Sequence, residues 1–495
     1  MKSLELSNRE VSYKLVEYMN ALERRGYYNG SVLVARNGQI LLSQGYGMAS
    51  FEHEAVNTSI TKFRLGAITK GFTAIAILQL QEQGKLSVDD FICRHLPGYP
   101  NGESITIHHL LSNSSGIPDY PRMEGYWVKT MRLFATIEDT FQTFKDQPLE
   151  YTPGEQYSYS SSNYIILSAI IEKVSGLSYN EYIFERICRP LNMNNTGIED
   201  GRSVLKDCAS GYSVCKEIFR SEFVDMSIHL GAGAMYSTVE DLYVWDRALY
   251  TERLISERSL KMLFDQKTPP CGSYGWIVDE HILNKKVRKR IGHVGSMNGF
   301  WADFNRYVDD DLVIIVLSNV NLTPVETMSR RLAQIAYGES VEVLQEVHPI
   351  KLDPNEMEQY AGIYEYGRDD SIVASSKHTS ADMEEALNLL TSMKIPDIAV
   401  GRFHAIFQQY GIHTDHTIIV ICEKGKLYLF MPKQYHGAWF QYEFIPVSRA
   451  ADSTTWVALH IDEQVVFNHS SGEEMGFIHR DVNGNQIYVR RIHSI

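Results

Sequence analysis

Apolar residues recur with helical spacing over residues 7–26, where Val11, Leu15, Tyr18, Met19 and Leu22 line one face. The pattern then changes to "GSVLVARNGQILLSQGYG", two short strands around Asn37-Gly38. That dipeptide tolerates the positive φ values of a tight hairpin turn. Residues 70–84, "KGFTAIAILQLQEQG", are apolar on nearly every side and stop at Gly84, which predicts a fully buried helix. "ITIHHLLSNSSGIPDY" (105–120) predicts a helix running into a loop, and "NYIILSAIIEKVSG" (163–176) a second buried helix closed by glycine. "GAGAMYSTVEDLYVWDRAL" (231–249) carries an N-cap at Thr238 followed by acidic residues in the first turn. Residues 291–305 and 312–319 read as strands, and "TPVETMSRRLAQIAYG" as a closing helix. Together these elements predict an α/β domain, a sheet with helices around it.

The pattern changes again near 339–355, which reads as a linker. Beyond it lie short alternating stretches bounded by turn residues, among them "TIIVICEKGKLYLFMP", "FQYEFIPVS" and "TTWVALHI". Residues 356–495 are therefore expected to form an antiparallel β-barrel or sandwich, interrupted by one helix at 381–393. The aromatic residues Tyr428, Phe430, Trp439, Phe440, Tyr442 and Phe444 are expected to be its core.

Composition narrows the function classes. With 47 Lys plus Arg against 61 Asp plus Glu, the net charge is −14, so the electrostatic footprint of a nucleic-acid binder is missing. The one basic block, "NKKVRKR" at 284–290, reads as a solvated hairpin. No stretch approaches 18 consecutive apolar residues, and "LVIIVL" (312–317) has the length of a buried strand, so no membrane span is expected. The first thirty residues lack the apolar segment of a secretory signal. The six cysteines show no C-x-x-C pair or metal spacing, so they are expected to be free, mostly buried thiols in a reducing compartment, the cytoplasm by default. Neither a metal nor an organic cofactor is implied, and oligomeric state is not legible.

Three stretches could carry chemistry. "GAITK" (66–70) opens the buried helix with a residue and a lysine at i, i+3, on one helical face, beside the free N–H groups of a helix start. A serine at position 67 would make this S-x-x-K, but the residue there is Ala67. Lys70 enters an apolar helix, so its charge needs a buried partner. "PGEQYSYSSSNY" (153–164) places Tyr159 in a serine-rich turn, either as general acid/base or as a neighbour of the helix cap. In "GHVGSMNGF" (292–300), Gly295 and Gly299 allow a close approach to a strand edge, and His293 is either a proton carrier or structural.

In this order and separation, the motifs resemble the serine β-lactamase and penicillin-binding-protein-like family. Its branch here includes class C β-lactamases, DD-peptidases, D-aminopeptidases, esterases and peptide-cyclising thioesterases. The resemblance spans roughly 27–338, and the tail from "LDPNEMEQYAGIY" resembles, more weakly, the lipocalin-like barrel appended to many members. It implies a catalytic domain over 1–338, a linker over 339–355 and a barrel over 356–495. It puts Ala67 in the nucleophile's position, with Lys70 as base partner and Tyr159 as proton shuttle. Ser161 falls in a slot usually held by asparagine, and His293 and Gly295 line the third motif. The backbone N–H groups of Ala67 and Ser296 would form the oxyanion hole.

The reaction implied is acyl transfer through an acyl-enzyme, most directly by a peptidase or amidohydrolase on small peptides beside a D-residue. An esterase or a peptide-cyclising thioesterase fits the same motifs. Ala67 lacks the attacking oxygen, and deleting such a nucleophile costs a comparable hydrolase about 10⁶-fold in turnover. The chain as it stands is therefore expected to be inactive because of Ala67, binding a substrate without forming an acyl-enzyme. The retained Lys70, Tyr159 and His293 favour a single designed serine-to-alanine change. Ser161, and Asn113 where the family often has histidine, keep open a natural non-catalytic protein that binds peptide.

Overall fold

A computed structural model describes residues 7–126, 129–265, 272–344, 346–366, 417–433, 438–469 and 475–494. The expected helix at 381–393 and Cys271 lie outside the described residues.

The N-terminal part is organised by a six-stranded antiparallel sheet. In spatial order its strands are Ile277–Leu283, Lys286–Met297, Phe300–Tyr307, Leu312–Ser318, Gly30–Arg36 and Gln39–Tyr46. Side chains alternate between its two faces. Val32, Val34, Ile314 and Val316 pack with the helices Asn8–Arg24 and Val325–Ala336, while Leu33, Ala35, Val313, Ile315 and Leu317 pack on the opposite side. The second face supports the helices Thr69–Glu82, Ser161–Ser175 and Val239–Ala248, which carry or back the candidate site. Asn37 and Gly38 form the first hairpin turn with φ of 52° and 73°, as the dipeptide requires.

The stretch 291–305 is two strands rather than one. The first runs from Lys286 to Met297, and a turn at Asn298 and Gly299, where Gly299 has φ 79°, leads into the second, Phe300–Tyr307. The basic segment 284–290 is a hairpin, but Arg290 is buried in it. Arg290 makes two bonds to the Asp279 carboxylate (2.7 and 2.6 Å) and one to Asn305 Oδ1.

Another buried pair ties the sheet to a helix. Arg306 Nε donates to Asp246 Oδ1 at 2.6 Å, with side chains 1% and 0% exposed, and Arg247 Nε donates to the second Asp246 oxygen at 2.8 Å. Asp246→Ala leaves the Arg306 charge buried and unpaired, which should cost about 3–5 kcal/mol. Urea unfolding measures this; a midpoint unchanged from the parent chain would contradict it.

Eight further strands, from Gly362–Tyr366 through Gln486–Ser494, each pair antiparallel with their sequence neighbours among the described strands. The first also pairs with the last, closing a β-barrel. Its interior holds Tyr364, Tyr442, Phe444, Trp456 and Phe467. Tyr428 and Phe430 are also buried, and the side chains of Trp439 and Phe440 lie outside the described set.

The hairpin Tyr212–Cys215/Glu217–Arg220 reaches from the first unit to the barrel. Lys216 N donates to Gln441 O at 2.7 Å, and the Lys216 ammonium bonds Glu423 and sits over the Tyr428 ring. Arg331 bonds Asp462 at 3.0 Å, and Tyr27 Oη donates to Ala458 O. Of the four cysteines with described side chains, all are free thiols. Cys188 is buried; Cys93, Cys208 and Cys422 are partly exposed, more open than their composition suggested.

Candidate active site

The site begins at a turn that only a residue tolerant of positive φ can make. Gly66 has φ +52°, and a single turn of 3₁₀-helix over Gly66–Ile68 leads straight into the helix Thr69–Glu82. From Leu65 to Lys70 every residue is buried except Ala67, which is partly exposed. The helix is held from behind by stacked rings: Phe72 on Trp245 (3.8 Å) and Trp245 on Trp276 (5.1 Å). Gly71 lets them approach, since a Cβ there would lie 2.9 Å from Trp245.

Lys70, the second residue of that helix and three on from Ala67, is 1% exposed. Its Nζ donates to Ala232 O at 2.8 Å, lies 3.4 Å from Ser161 Oγ, and sits 4.9 Å from the Tyr159 ring centroid and 5.5 Å from that of Tyr164. Burial pushes its pKa down to about 7, with the Asp119 carboxylate pulling the other way. The neutral amine, a base, is thus substantially populated near pH 7. Burial also raises the Tyr159 pKa, so Tyr159 keeps its proton unless a partner takes it.

Asp119 organises the serine-rich turn. Its Oδ1 accepts from Ser161 N at 2.7 Å, at the first residue of the helix Ser161–Ser175. Burial raises the Asp119 pKa, while the Ser161 N–H and the Lys70 charge oppose that rise. Asn113 holds the same turn from below. It adopts φ +54°, its Oδ1 accepts from Ser160 N (3.2 Å) and Asn163 Nδ2 (3.0 Å), and its carbonyl accepts from Ser158 N (2.9 Å). Asparagine suits this position because it tolerates the left-handed backbone and its amide oxygen can accept more than one bond.

The third wall is the strand Lys286–Met297. His293 is buried, and its Nδ1–H donates to Val294 O at 2.5 Å. Burial, then the Lys70 charge, pushes the His293 pKa down to about 4, so the ring is neutral near pH 7 and Nε2 is its acceptor. At Gly295 the strand touches the turn around Gly66 and Ala67: a Cβ there would lie 1.9 Å from Leu65 O and 3.0 Å from Ala67 N. A Cβ on Gly66 would in turn lie 2.7 Å from Ser296 N. The backbone N–H groups of residues 67 and 296 therefore belong to two segments in direct contact, and Ser296 is exposed at the rim.

The structure thus gathers Tyr159 and Ser161 around the buried Lys70 amine, three residues on from Ala67, and sets Gly295 and Ser296 against the turn. His293 lies on the same strand, within electrostatic reach of Lys70. The sequence reading missed Asp119 and His229. Asp119 is the one carboxylate in 105–120, an otherwise uncharged loop, and that was its signal. His229 is buried, bonded by Tyr120 Oη at Nδ1 (2.6 Å) and Tyr126 Oη at Nε2 (3.2 Å), and it precedes the short helix Leu230–Gly233 that presents Ala232 O to Lys70. Only the folded chain reveals that role.

One consequence is directly measurable. Asp119→Asn keeps an acceptor for Ser161 N but removes the charge that favours the Lys70 ammonium. The Lys70 titration midpoint should therefore move below its value of about 7, read by NMR of ε-¹³C-lysine. An upward shift would show that Asp119 does not support the charged form.

Comparison with known proteins identifies the family. The family described as beta-lactamase matches residues 15–338. The chain is 31% identical over 319 residues to Penicillin-binding protein 4* of Bacillus subtilis (strain 168), a match covering 60% of this chain and 69% of that protein. Among solved structures, the octameric penicillin-binding protein homologue from Pyrococcus abyssi is 21% identical with a TM-score of 0.60, covering 97% of this chain and 99% of that one. A D-stereospecific amidohydrolase from Streptomyces sp. is 23% identical with a TM-score of 0.56, covering 64% and 98%. Among the described residues, no cluster of His, Cys, Asp and Glu could hold a metal ion, and no helix is long and apolar enough to cross a membrane.

Proposed function

Since the chain belongs to the beta-lactamase family, a family of serine hydrolases, we propose that its site is built for acyl transfer from the amide of a small peptide beside a D-residue. The observation that carries this reading is the buried, readily neutralised Lys70 amine, set between the nucleophile turn and the hydroxyl-bearing turn of Tyr159 and Ser161. In this reading Lys70 is the base, Tyr159 passes a proton to the leaving group, and His293 offers Nε2 to substrate. The N–H groups of residues 67 and 296 receive the developing oxyanion. The similarity to a D-stereospecific amidohydrolase supports the choice of a D-residue. With alanine at 67, no acyl ester forms at that residue.

The test restores both family residues, Ala67→Ser with Ser161→Asn, and offers the enantiomeric pair D- and L-phenylalanine amide. The D-amide should be hydrolysed faster. Faster turnover of the L-amide, or of neither, would end this reading. A linear peptide thioester given to the same variant should yield the linear acid; a cyclic product would identify an amine rather than water as the acceptor.

A further inference from the structure

Two departures from the family pattern flank Lys70, one three residues before it in the chain and one across the site. The hydroxyl expected at position 67 is missing, and a hydroxyl not expected there stands at position 161. Ser161 Oγ is 3.4 Å from Lys70 Nζ. A serine oxygen at 67 that bonded the same amine would lie no more than about 6.5 Å from Ser161 Oγ, the 3.4 Å contact plus one hydrogen-bond length of about 3 Å, so the lost and gained oxygens would share one small space. We infer that Ser161 serves as the nucleophile of this chain, with Lys70 as its base, a displaced serine–lysine pair in place of the one that Ala67 removes. The inference rests on the acyl-transfer reading above.

The two serines that flank Ser161 do not meet the requirements that it does. Ser160 is 2% exposed, out of reach of a substrate. Ser162 is buried, and its Oγ is committed to Pro118 O (2.7 Å) and to Tyr120 N (2.9 Å). Ser161 is partly exposed, and its backbone is fixed by the bond from its N–H to Asp119. Neutral Lys70 has a lone pair to accept the Ser161 proton, and Lys70 is itself positioned by Ala232 O. A hydroxyl held beside an unprotonated amine is the arrangement that activates serine without a histidine.

The step balances without any further reagent but water. Ser161 Oγ bonds to the substrate carbonyl carbon as its proton passes to Lys70 Nζ. The carbon–nitrogen bond then breaks, and the amine leaves with a proton returned from Lys70 by way of Tyr159 Oη. Water next adds to the ester carbon, giving a proton to Lys70, and the carbon–Oγ bond breaks. The serine oxygen regains the proton and the acid is released.

A fluorophosphonate probe tests this on the unaltered chain, because serine attack on phosphorus expels fluoride and leaves a stable mark that peptide mass spectrometry can locate. The mark is expected on Ser161, lost in Ser161→Asn, and found on residue 67 in Ala67→Ser/Ser161→Asn. An unmarked parent chain beside a marked double variant overturns the Ser161 inference and leaves the acyl-transfer reading standing. A mark elsewhere on the parent chain, or one that survives Ser161→Asn, also overturns it. If neither chain is marked, the acyl-transfer reading fails, and this inference with it. Mapping on the unaltered chain does not depend on how any variant folds.

Discussion

Ala67→Ser, introduced into the Ser161→Asn chain, should raise turnover of a D-amino-acid amide by about 10⁶-fold, the loss that deleting a serine nucleophile causes in a comparable hydrolase. The comparison isolates one oxygen. Both chains carry asparagine at 161, so neither has a hydroxyl there, and everything else around Lys70 is shared. The effect corresponds to about 8 kcal/mol of activation free energy. Its size follows from what the oxygen permits: a covalent intermediate, reached through a proton transfer to an amine whose pKa is already near 7. Since the binding groups do not change, the gain should appear in kcat with KM nearly constant. A rise of less than about 10-fold would mean that Lys70 does not act as a base on a hydroxyl at 67.

Gly295→Ala, in that restored chain, should remove most of what the serine brings. The new methyl would sit 1.9 Å from Leu65 O and 3.0 Å from Ala67 N, both backbone atoms of the turn. No flexible side chain can swing aside to relieve such an overlap, so the strand and the turn must separate. Their N–H groups act together, and losing one such donor costs about 10²–10³ in kcat. Overpacking should add about 1–3 kcal/mol of destabilisation. Kinetics paired with thermal unfolding separate the two effects. If kcat stays within about 10-fold of the parent, the 67 and 296 amides are not the oxyanion donors.

How much of this was legible beforehand depended on whether a feature is local. The hairpin at Asn37-Gly38, the helix from Lys70 and the helix closed by Gly176 follow from turn chemistry and periodicity. Positions 67, 70, 159, 161, 293, 295 and 296 could be named as candidates because each lies in a short motif whose order is informative. Asp119 and His229 were not, because a carboxylate or an imidazole gains meaning only from what folds against it. The same holds for Arg290, which the run "NKKVRKR" disguised as one solvated cation among several. Strand alternation turns it inward, onto Asp279 and Asn305. Asn113 looked like a missing histidine. It is better described as the residue that can bend left-handed and still hold Ser160 and Asn163.

The hairpin Tyr212–Arg220 also bears on modularity. Its side chains Tyr212 and Val214, together with Val320 and Leu322, share one apolar core with the barrel strands. At its base, Ser221 N donates to Gly211 O, and a Cβ on Gly299 would collide with both residues at the turn that follows Ser296. Severing the chain anywhere in 339–353 would therefore not separate two finished pieces. It would strip the N-terminal piece of part of its own interior and free a ribbon whose root leans on the turn after Ser296. Any ancestral or engineered exchange of barrels between relatives has to carry this ribbon along as part of the cargo.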